Sequence, residues 1–260
     1  MTATTSSSSA SALDSENADS NPKIRLFTQA TNPFTEKVAA ALALKRLSFE
    51  RVVSDDPEDV ARWSPVARTL PVLEIAGRRK ADSIKIVSWL DTLYPEPPLI
   101  SPDPRTAEAQ MHLAEWSDDS FVWYFNRWRA ARYPQPGDEE PIEESLLGRI
   151  RDHVARHISR VGRTGAGVGL PTSRADGREL EIIGEIEDRM DDLVGFLRDR
   201  PFFHADEPSV ADLSVYAMLV VLQAGAIPNC DALIAERPTL VDFVERMGAR
   251  IELGAASPAA

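Results

Sequence analysis

The chain has 260 residues, of which 43% are apolar and 27% charged, a balance typical of a globular protein with one large domain or two smaller ones. Its 29 basic and 41 acidic residues give a net charge of −12, which argues against nucleic acid and anionic lipid as main partners. The single cysteine, Cys230, excludes a disulfide, a multi-cysteine zinc site and a two-cysteine redox cycle within these residues.

Residues 1–22 are predicted to form a disordered tail, because they are mostly Ser, Thr, Ala and acidic residues. Leu13 is the only large aliphatic residue before Ile24, and the first basic residue is Lys23. Neither a signal peptide nor a mitochondrial presequence has this composition. No run of 18 uncharged apolar residues occurs, so we expect no membrane insertion and a reducing, cytoplasmic location.

A strand–helix–strand pattern opens the first domain. Residues 23–28 and 49–53 are short apolar segments typical of strands, and Pro33 between them suits the first turn of a helix. This order predicts a parallel, right-handed βαβ unit. A short helix at 59–63 then leads to a third strand at 70–75.

A hairpin and a helix complete this domain. Residues 78–80 are predicted to form a polar edge strand, and the next helix opens at Asp82–Ser83. The domain therefore has a βαβ–ββα layout over residues 23–95. The proline-rich stretch 96–104 is predicted to be a linker.

The second domain, over residues 105–252, is predicted to be all-helical, with a tail at 253–260. Its only strand candidate is Phe202–Phe203, and the glycine-rich segment 162–169 is predicted to be a loop between helices. Apolar residues at helical spacing predict helices over 105–132, 142–161, 178–198, 209–225 and 239–251.

Three segments of the chain carry a family resemblance. They are Thr31–Val38 at the first helix, Thr69–Leu73 together with Ala81–Leu90, and Pro208–Leu213 in the helical half. Their order and spacing across residues 23–250 resemble the cytosolic glutathione S-transferase superfamily. The resemblance implies a thioredoxin-like α+β N-terminal domain followed by an all-α helical-bundle C-terminal domain.

The resemblance also implies a glutathione site. Pro71 cannot donate a ladder hydrogen bond, and its family counterpart is cis, which leaves the backbone of Leu70 to pair with the peptide. Asp82 and Ser83, at a helix start, match the ammonium and carboxylate of the γ-glutamyl end; helix capping alone is the alternative. Arg68 is implied as a partner for a glutathione carboxylate.

Thr31 and Asn32 are the candidate catalytic residues, since the family places its thiol-activating group at this turn. Thr31 offers a hydroxyl and Asn32 an amide N–H, and either would stabilise a thiolate. Thr28 and Thr35 are weaker candidates. No Tyr or Cys lies nearby, which disfavours tyrosine-type catalysis and omega-type thiol exchange. The alternative is that these turn residues only satisfy backbone groups.

Trp116, Trp123 and Tyr124 are the candidate electrophile pocket, because the family forms this pocket between its two domains along the first long C-terminal helix. Aromatic residues cover two faces of that helix. One face is expected in the core, and the other in an apolar pocket or a dimer surface; a core role alone is the alternative.

Two functions stay open. The chain is either a transferase that conjugates glutathione, as co-substrate, to an apolar electrophile in detoxification, or a non-catalytic module that retains glutathione binding. The family's usual state implies a homodimer. No metal is expected: His153 and His157 have ligand spacing, but no Glu follows His153 as in zinc proteases.

Overall fold

The computed structural model describes residues 23–30, 32–133 and 174–256, with side chains from residue 177 onward in the last range. Some predicted features lie outside the described residues. They are the tail at 1–22, Thr31, the helix at 142–161, His153, His157 and the loop at 162–169.

The N-terminal domain has the predicted βαβ–ββα order. Its elements are β1 (Ile24–Thr28), α1 (Pro33–Leu44), β2 (Glu50–Val53), α2 (Pro57–Trp63), β3 (Val72–Ile75), β4 (Arg78–Ala81) and α3 (Ser83–Leu93). The four strands form one sheet in the order β2-β1-β3-β4. Strand β1 pairs with β2 in parallel and with β3 antiparallel, and β3 pairs with β4 antiparallel. The thioredoxin-like α+β domain is confirmed.

Helix α1 begins as its sequence dictates. Asn32 is the N-cap, and its side chain accepts a hydrogen bond from the backbone N–H of Phe34 at 2.9 Å. Pro33 follows at the first helical position, where its missing N–H costs nothing. The helix is buried on most of its surface, and the buried residues include Lys37.

The C-terminal domain is helical over its described residues. Its helices are α4 (Pro104–Arg132), α5 (Arg174–Leu197), α6 (Val210–Gln223), α7 (Cys230–Ala235) and α8 (Pro238–Ala256). Four of the five predicted helices are confirmed. Helix α7 was not predicted, and α8 continues to Ala256, past the predicted boundary at residue 252.

The doubtful strand candidate at Phe202–Phe203 does not form a strand, in keeping with the predicted all-helical domain. The pair follows α5 and precedes α6 in the chain, both rings are buried, and the Phe203 ring packs edge-on against Phe243 of α8 at 5.3 Å. The Phe203 backbone N–H donates to the Asp212 carboxylate at 2.7 Å instead of to a neighbouring strand. Burial of two aromatic rings beside a helix start accounts for the apolar pair without a sheet.

One hydrophobic core runs through both domains. It joins Leu26 and Leu73 of the sheet and Leu42 of α1 to the helical domain, because α1 packs against both α6 and α8. The opposite face of the sheet has a smaller cluster, formed by Phe27, Trp63, Leu70 and Val72, beneath α2. Within the described residues, no helix is long and apolar enough to cross a membrane.

Candidate functional site

A cleft of about 870 Å³ opens between the two domains. Helix α4 contributes Asp118, Asp119 and Val122 to its wall, and the rest comes from the thioredoxin-like domain. Six of the predicted site residues line it together: Asn32, Arg68, Leu70, Pro71, Asp82 and Ser83. The placement of Thr31 is outside the described residues.

Leu70 and Pro71 form the floor beside strand β3. Both residues are buried, and the peptide bond between them is cis. Pro71 precedes the first paired residue of the strand, Val72, so its missing N–H removes no ladder hydrogen bond. The strand thus reaches the cleft without losing its pairing with β1 and β4.

Asp82 and Ser83 lie at the start of helix α3. Asp82 is the N-cap, with φ 75° and ψ 115°, and its side chain accepts from the backbone N–H groups of Ile84 at 3.1 Å and Lys85 at 3.3 Å. Its second carboxylate oxygen pairs with Lys85 Nζ at 3.1 Å. The N-terminus of α3 therefore contributes partial positive charge to the cleft, and the Asp82 carboxylate lies beside it.

Ser83 makes a contact that the sequence analysis missed. Lys37 of α1, with only 1% of its side chain exposed, donates from Nζ to Ser83 Oγ at 3.2 Å. The same ammonium forms an ion pair with Asp118 of α4. Burial lowers the Lys37 pKa and raises the Asp118 pKa, and each partner opposes the other's shift. A lysine that enters a long apolar run, here Val38 to Leu44, is the sequence signal for such a buried pair.

Asn32, in the turn after β1, has only its amide N–H groups available to the cleft. Its Oδ1 is engaged as the cap of α1, which leaves the two N–H donors of the amide for another partner. Thr28 and Thr35, the weaker candidates, are buried, lie outside the cleft lining and bond to each other through their hydroxyl oxygens at 2.5 Å. Their hydroxyls serve the β1–α1 junction.

Basic side chains stand at the rim of this cleft although the chain is acidic overall. Arg68 is exposed with φ 51°, and Arg79 and Lys85 also line the cleft. Arg79 donates from Nε to Glu74 at 2.7 Å, so part of its charge is compensated. Asp82, Asp118 and Asp119 line the same cleft, so its basic and acidic side chains are balanced in number, and Arg68 is the basic side chain best placed to meet a small anion.

The predicted electrophile residues lie next to the cleft and do not line it. Trp116, Trp123 and Tyr124 line a separate open groove of about 830 Å³, which shares Asp119 and Val122 with the cleft. Trp116 and Tyr124 also border a small apolar cavity of about 20 Å³ inside the helical domain. Trp123 is 60% exposed, so it belongs to the surface face of α4.

Two family models match the chain. The model described as the N-terminal domain of glutathione S-transferase matches residues 32–93, which carry the cleft lining of the first domain except Gln29. The model described as the glutathione S-transferase C-terminal domain matches residues 186–247. The two matches occur in the order that the fold shows.

Two relatives match this chain over part of their own length. The protein named Failed axon connections from Drosophila melanogaster is 26% identical over 232 residues, which cover 83% of this chain and 53% of that protein. A probable glutathione S-transferase GSTU1 from Oryza sativa subsp. indica is 35% identical over 132 residues, covering 44% of this chain and 55% of that protein. The chain spans just over half the length of these relatives.

A solved structure has the same architecture. A glutathione S-transferase from Methylobacterium radiotolerans, in complex with glutathione sulfonate, superposes with a TM-score of 0.55 at 26% identity. The match covers 92% of this chain and 96% of that one. With both domain models matched in order on a thioredoxin-like and a helical domain, the chain belongs to the cytosolic glutathione S-transferase superfamily.

Proposed function

We propose that the chain binds glutathione in the cleft between its domains and conjugates it, as the thiol substrate, to an apolar electrophile. One observation carries the proposal: Leu70 and Pro71 lie in the same cleft as the Asp82–Ser83 helix start. The first pair offers backbone to a peptide, and the second offers charges that match an amino-acid head.

The ligand is expected to lie along the cleft with its γ-glutamyl end at α3. The α-carboxylate accepts from the helix N-terminus and the Ser83 hydroxyl, and the ammonium pairs with Asp82. The backbone of Leu70 pairs with the cysteinyl residue. Arg68, at the rim, is the expected partner of the glycyl carboxylate.

The chemistry requires a thiolate near the β1–α1 turn. A hydrogen bond from the Thr31 hydroxyl or the Asn32 amide favours the charged form and lowers the thiol pKa from about 8.5. The thiolate sulfur then forms a bond to the electrophilic carbon, and the leaving group departs with the displaced electron pair. No metal is needed for this step.

Replacement of Asp82 tests the binding mode. Asp82→Ala removes the partner of the ligand ammonium, and hydrogen bonds to charged groups contribute about 1.5–3 kcal/mol, so glutathione affinity should fall at least about tenfold by calorimetry. Asp103→Ala is the matched control, because Asp103 caps α4 through Thr106 at 2.9 Å and lies outside the cleft lining. Equal affinities of the Asp82 variant and the native protein would contradict the binding mode.

The second candidate function is a glutathione-binding module without turnover. None of the described residues that line the cleft is tyrosine or cysteine, and Asn32 Oδ1 is engaged as a helix cap. The Drosophila relative, moreover, is not named as a transferase. A turnover assay with a generic aryl halide separates the two: binding without conjugation supports the module, and conjugation supports the transferase.

A cytoplasmic homodimer is part of the proposal. Val122 and Trp123 of α4 and Phe196 of α5 are apolar side chains that are 41%, 60% and 45% exposed. Apolar surface of this kind favours association, while the net charge of −12 keeps the assembly dispersed. Light scattering at tens of micromolar should give twice the chain mass, and a monomer would contradict the proposal.

A further inference from the structure

Lys37 is among the largest fully buried side chains, and it lies in the helix that joins the two domains. Removing an ammonium group from water carries a large desolvation cost unless the group is paired and hydrogen-bonded. The buried residues that follow it in α1, from Val38 to Ala43, are all apolar, whereas Thr35 and Glu36 precede it. The helix would pack without a charge at this position, so packing alone does not explain the lysine.

Asp118 compensates the charge from the other domain. Its side chain is 15% exposed, and it lines the cleft while it pairs with Lys37. Buried ion pairs contribute little net stability compared with apolar residues of similar volume. Stability alone therefore does not account for the Lys37–Asp118 pair, and its place beside the cleft suggests a role in binding.

Ser83, the third residue of this cluster, connects the ion pair to the cleft. An ammonium group has donors and no acceptor, so at the Lys37–Ser83 contact of 3.2 Å the serine oxygen must accept. The hydroxyl hydrogen of Ser83 is then left to donate elsewhere, and Lys37 is the one hydrogen-bond partner of Ser83 Oγ among the described residues. Ser83 lines the cleft at the N-terminus of α3, where we expect the γ-glutamyl carboxylate.

We propose that Lys37 is a positioning residue for this carboxylate: by donating to Ser83 Oγ it turns the serine hydroxyl into a fixed donor toward the ligand, while Asp118 keeps the ammonium charged. The inference rests on the proposed glutathione binding and extends it. Lys37 itself does not line the cleft and acts through Ser83. Donation from a cation also makes the serine hydroxyl a stronger donor, as in other chains of hydrogen bonds.

The test removes the buried charges together, so that neither remains unpaired. Lys37→Met with Asp118→Asn should lower glutathione affinity about fivefold to tenfold, measured by calorimetry on the full chain. Adding Ser83→Ala to that variant should cost no more than about twofold further, because Lys37 acts through Ser83. A full, additive loss would show independent roles and overturn the proposal.

A second ligand separates positioning from general structure. γ-Aminobutyryl-cysteinylglycine is glutathione without the γ-glutamyl carboxylate, so the native protein and the Lys37/Asp118 double variant should bind it equally. An equal loss of affinity for both ligands would mean that the variant is merely damaged, and no loss for glutathione would mean that Lys37 does not act on the site. Either result overturns the proposal.

The chain contains a matched control at the C-cap of the same helix. Lys45 is also buried and pairs with Asp91 at 2.5 Å, and it donates to two backbone carbonyls outside the cleft. Lys45→Met with Asp91→Asn disrupts more hydrogen bonds than the test variant, yet it should leave glutathione affinity unchanged where it folds. A loss in the control equal to that of the test variant would assign the effect to stability.

Failure of the variant to fold and failure of the native protein to bind glutathione are separate outcomes. If the Lys37→Met/Asp118→Asn protein does not fold, Lys37→Gln/Asp118→Asn makes the same comparison with a pair that is polar and uncharged. If the native protein does not bind glutathione at all, the proposed function fails, and this inference fails with it. Native binding with a normal double variant overturns the inference alone.

Discussion

Glu74 is a buried carboxylate in the sheet whose charge is compensated by two arginines. Its side chain is 8% exposed, and its carboxylate accepts from Arg25 Nε at 3.0 Å and from Arg79 Nε at 2.7 Å. The two guanidinium groups also lie against the Phe27 ring, at 5.4 and 5.1 Å from its centre. Burial alone would raise the Glu74 pKa, but the hydrogen bonds and charges of the two arginines lower it.

This lowered pKa predicts a pH-dependent contribution to stability. Since the folded pKa lies below the ordinary 4.5, the contribution is fully present above that pH and is lost as pH falls through the folded pKa. Glu74→Gln should therefore lower the free energy of unfolding by about 2 kcal/mol at pH 7. Urea titrations should show the difference from the native protein shrinking below about pH 4. A difference that stays constant down to pH 3 would contradict the assignment.

The choice between Thr31 and Asn32 is a second question at this scale. If the chain is a transferase, we expect Thr31 to be the thiol donor, because serine-type relatives use a hydroxyl. Thr31→Val should reduce kcat about 10²-fold, by analogy with oxyanion donors, and raise the thiol pKa of bound glutathione, read from thiolate absorbance.

Asn32→Asp is the informative comparison, since a carboxylate oxygen can still cap α1 while the amide donor is lost. If Asn32→Asp abolishes turnover with α1 intact and Thr31→Val does not, the amide is the donor. If neither change affects the rate, the turn is structural, and the module without turnover becomes the better description.

Helix α8 approaches α1 so closely that one glycine is required between them. A Cβ at Gly254 would collide with the backbone carbonyl of Ala43. Gly→Ala within a helix ordinarily stabilises it by about 1 kcal/mol, but here the clash should reverse the sign and cost about 1–3 kcal/mol. Gly248→Ala, in the same helix with open space around it, should stabilise the protein. Thermal denaturation of both variants measures the contrast, and a stabilised Gly254→Ala protein would refute the close approach.

Local patterns were sufficient for most elements and failed where a partner distant in sequence decides the outcome. A short apolar segment identifies strand β1, and helical periodicity together with the N-cap Asp82 identifies helix α3. Helix α7 is six residues long, too short for periodicity to show, and it follows Asn229 in the left-handed conformation. At Phe202–Phe203 an apolar pair left a strand open as a doubtful candidate, because the contacts that bury it come from Asp212 of α6 and Phe243 of α8.

The site divides in the same way. Asp82, Ser83 and Pro71 sit at turns whose chemistry is local, and the structure places them in one cleft. The Lys37–Asp118 pair joins helices of different domains, so no local pattern links the two residues. Trp123 was assigned to an electrophile pocket from the family resemblance, and it lines an open groove beside the cleft, so its role there stays a prediction.

For the whole molecule, the continuous core predicts that the two domains unfold together. Tryptophan fluorescence reports on both domains. Trp63 and Trp89 lie in the thioredoxin-like domain, and the helical domain contains Trp116, Trp123 and Trp128. Because α1 packs against α6 and α8 and shares buried residues with both, fluorescence and far-UV circular dichroism should give coincident transitions.

Glutathione should move that single transition as a unit, since both domains line the cleft. At a ligand concentration of about 100 Kd, binding to the folded state alone adds about 2.7 kcal/mol to the free energy of unfolding. Cysteinylglycine, which lacks the γ-glutamyl head, is the control and should shift the transition far less. A shift seen by only one probe would contradict the stabilisation of both domains as one unit. Two separate transitions without ligand would mean that the shared core does not couple the domains.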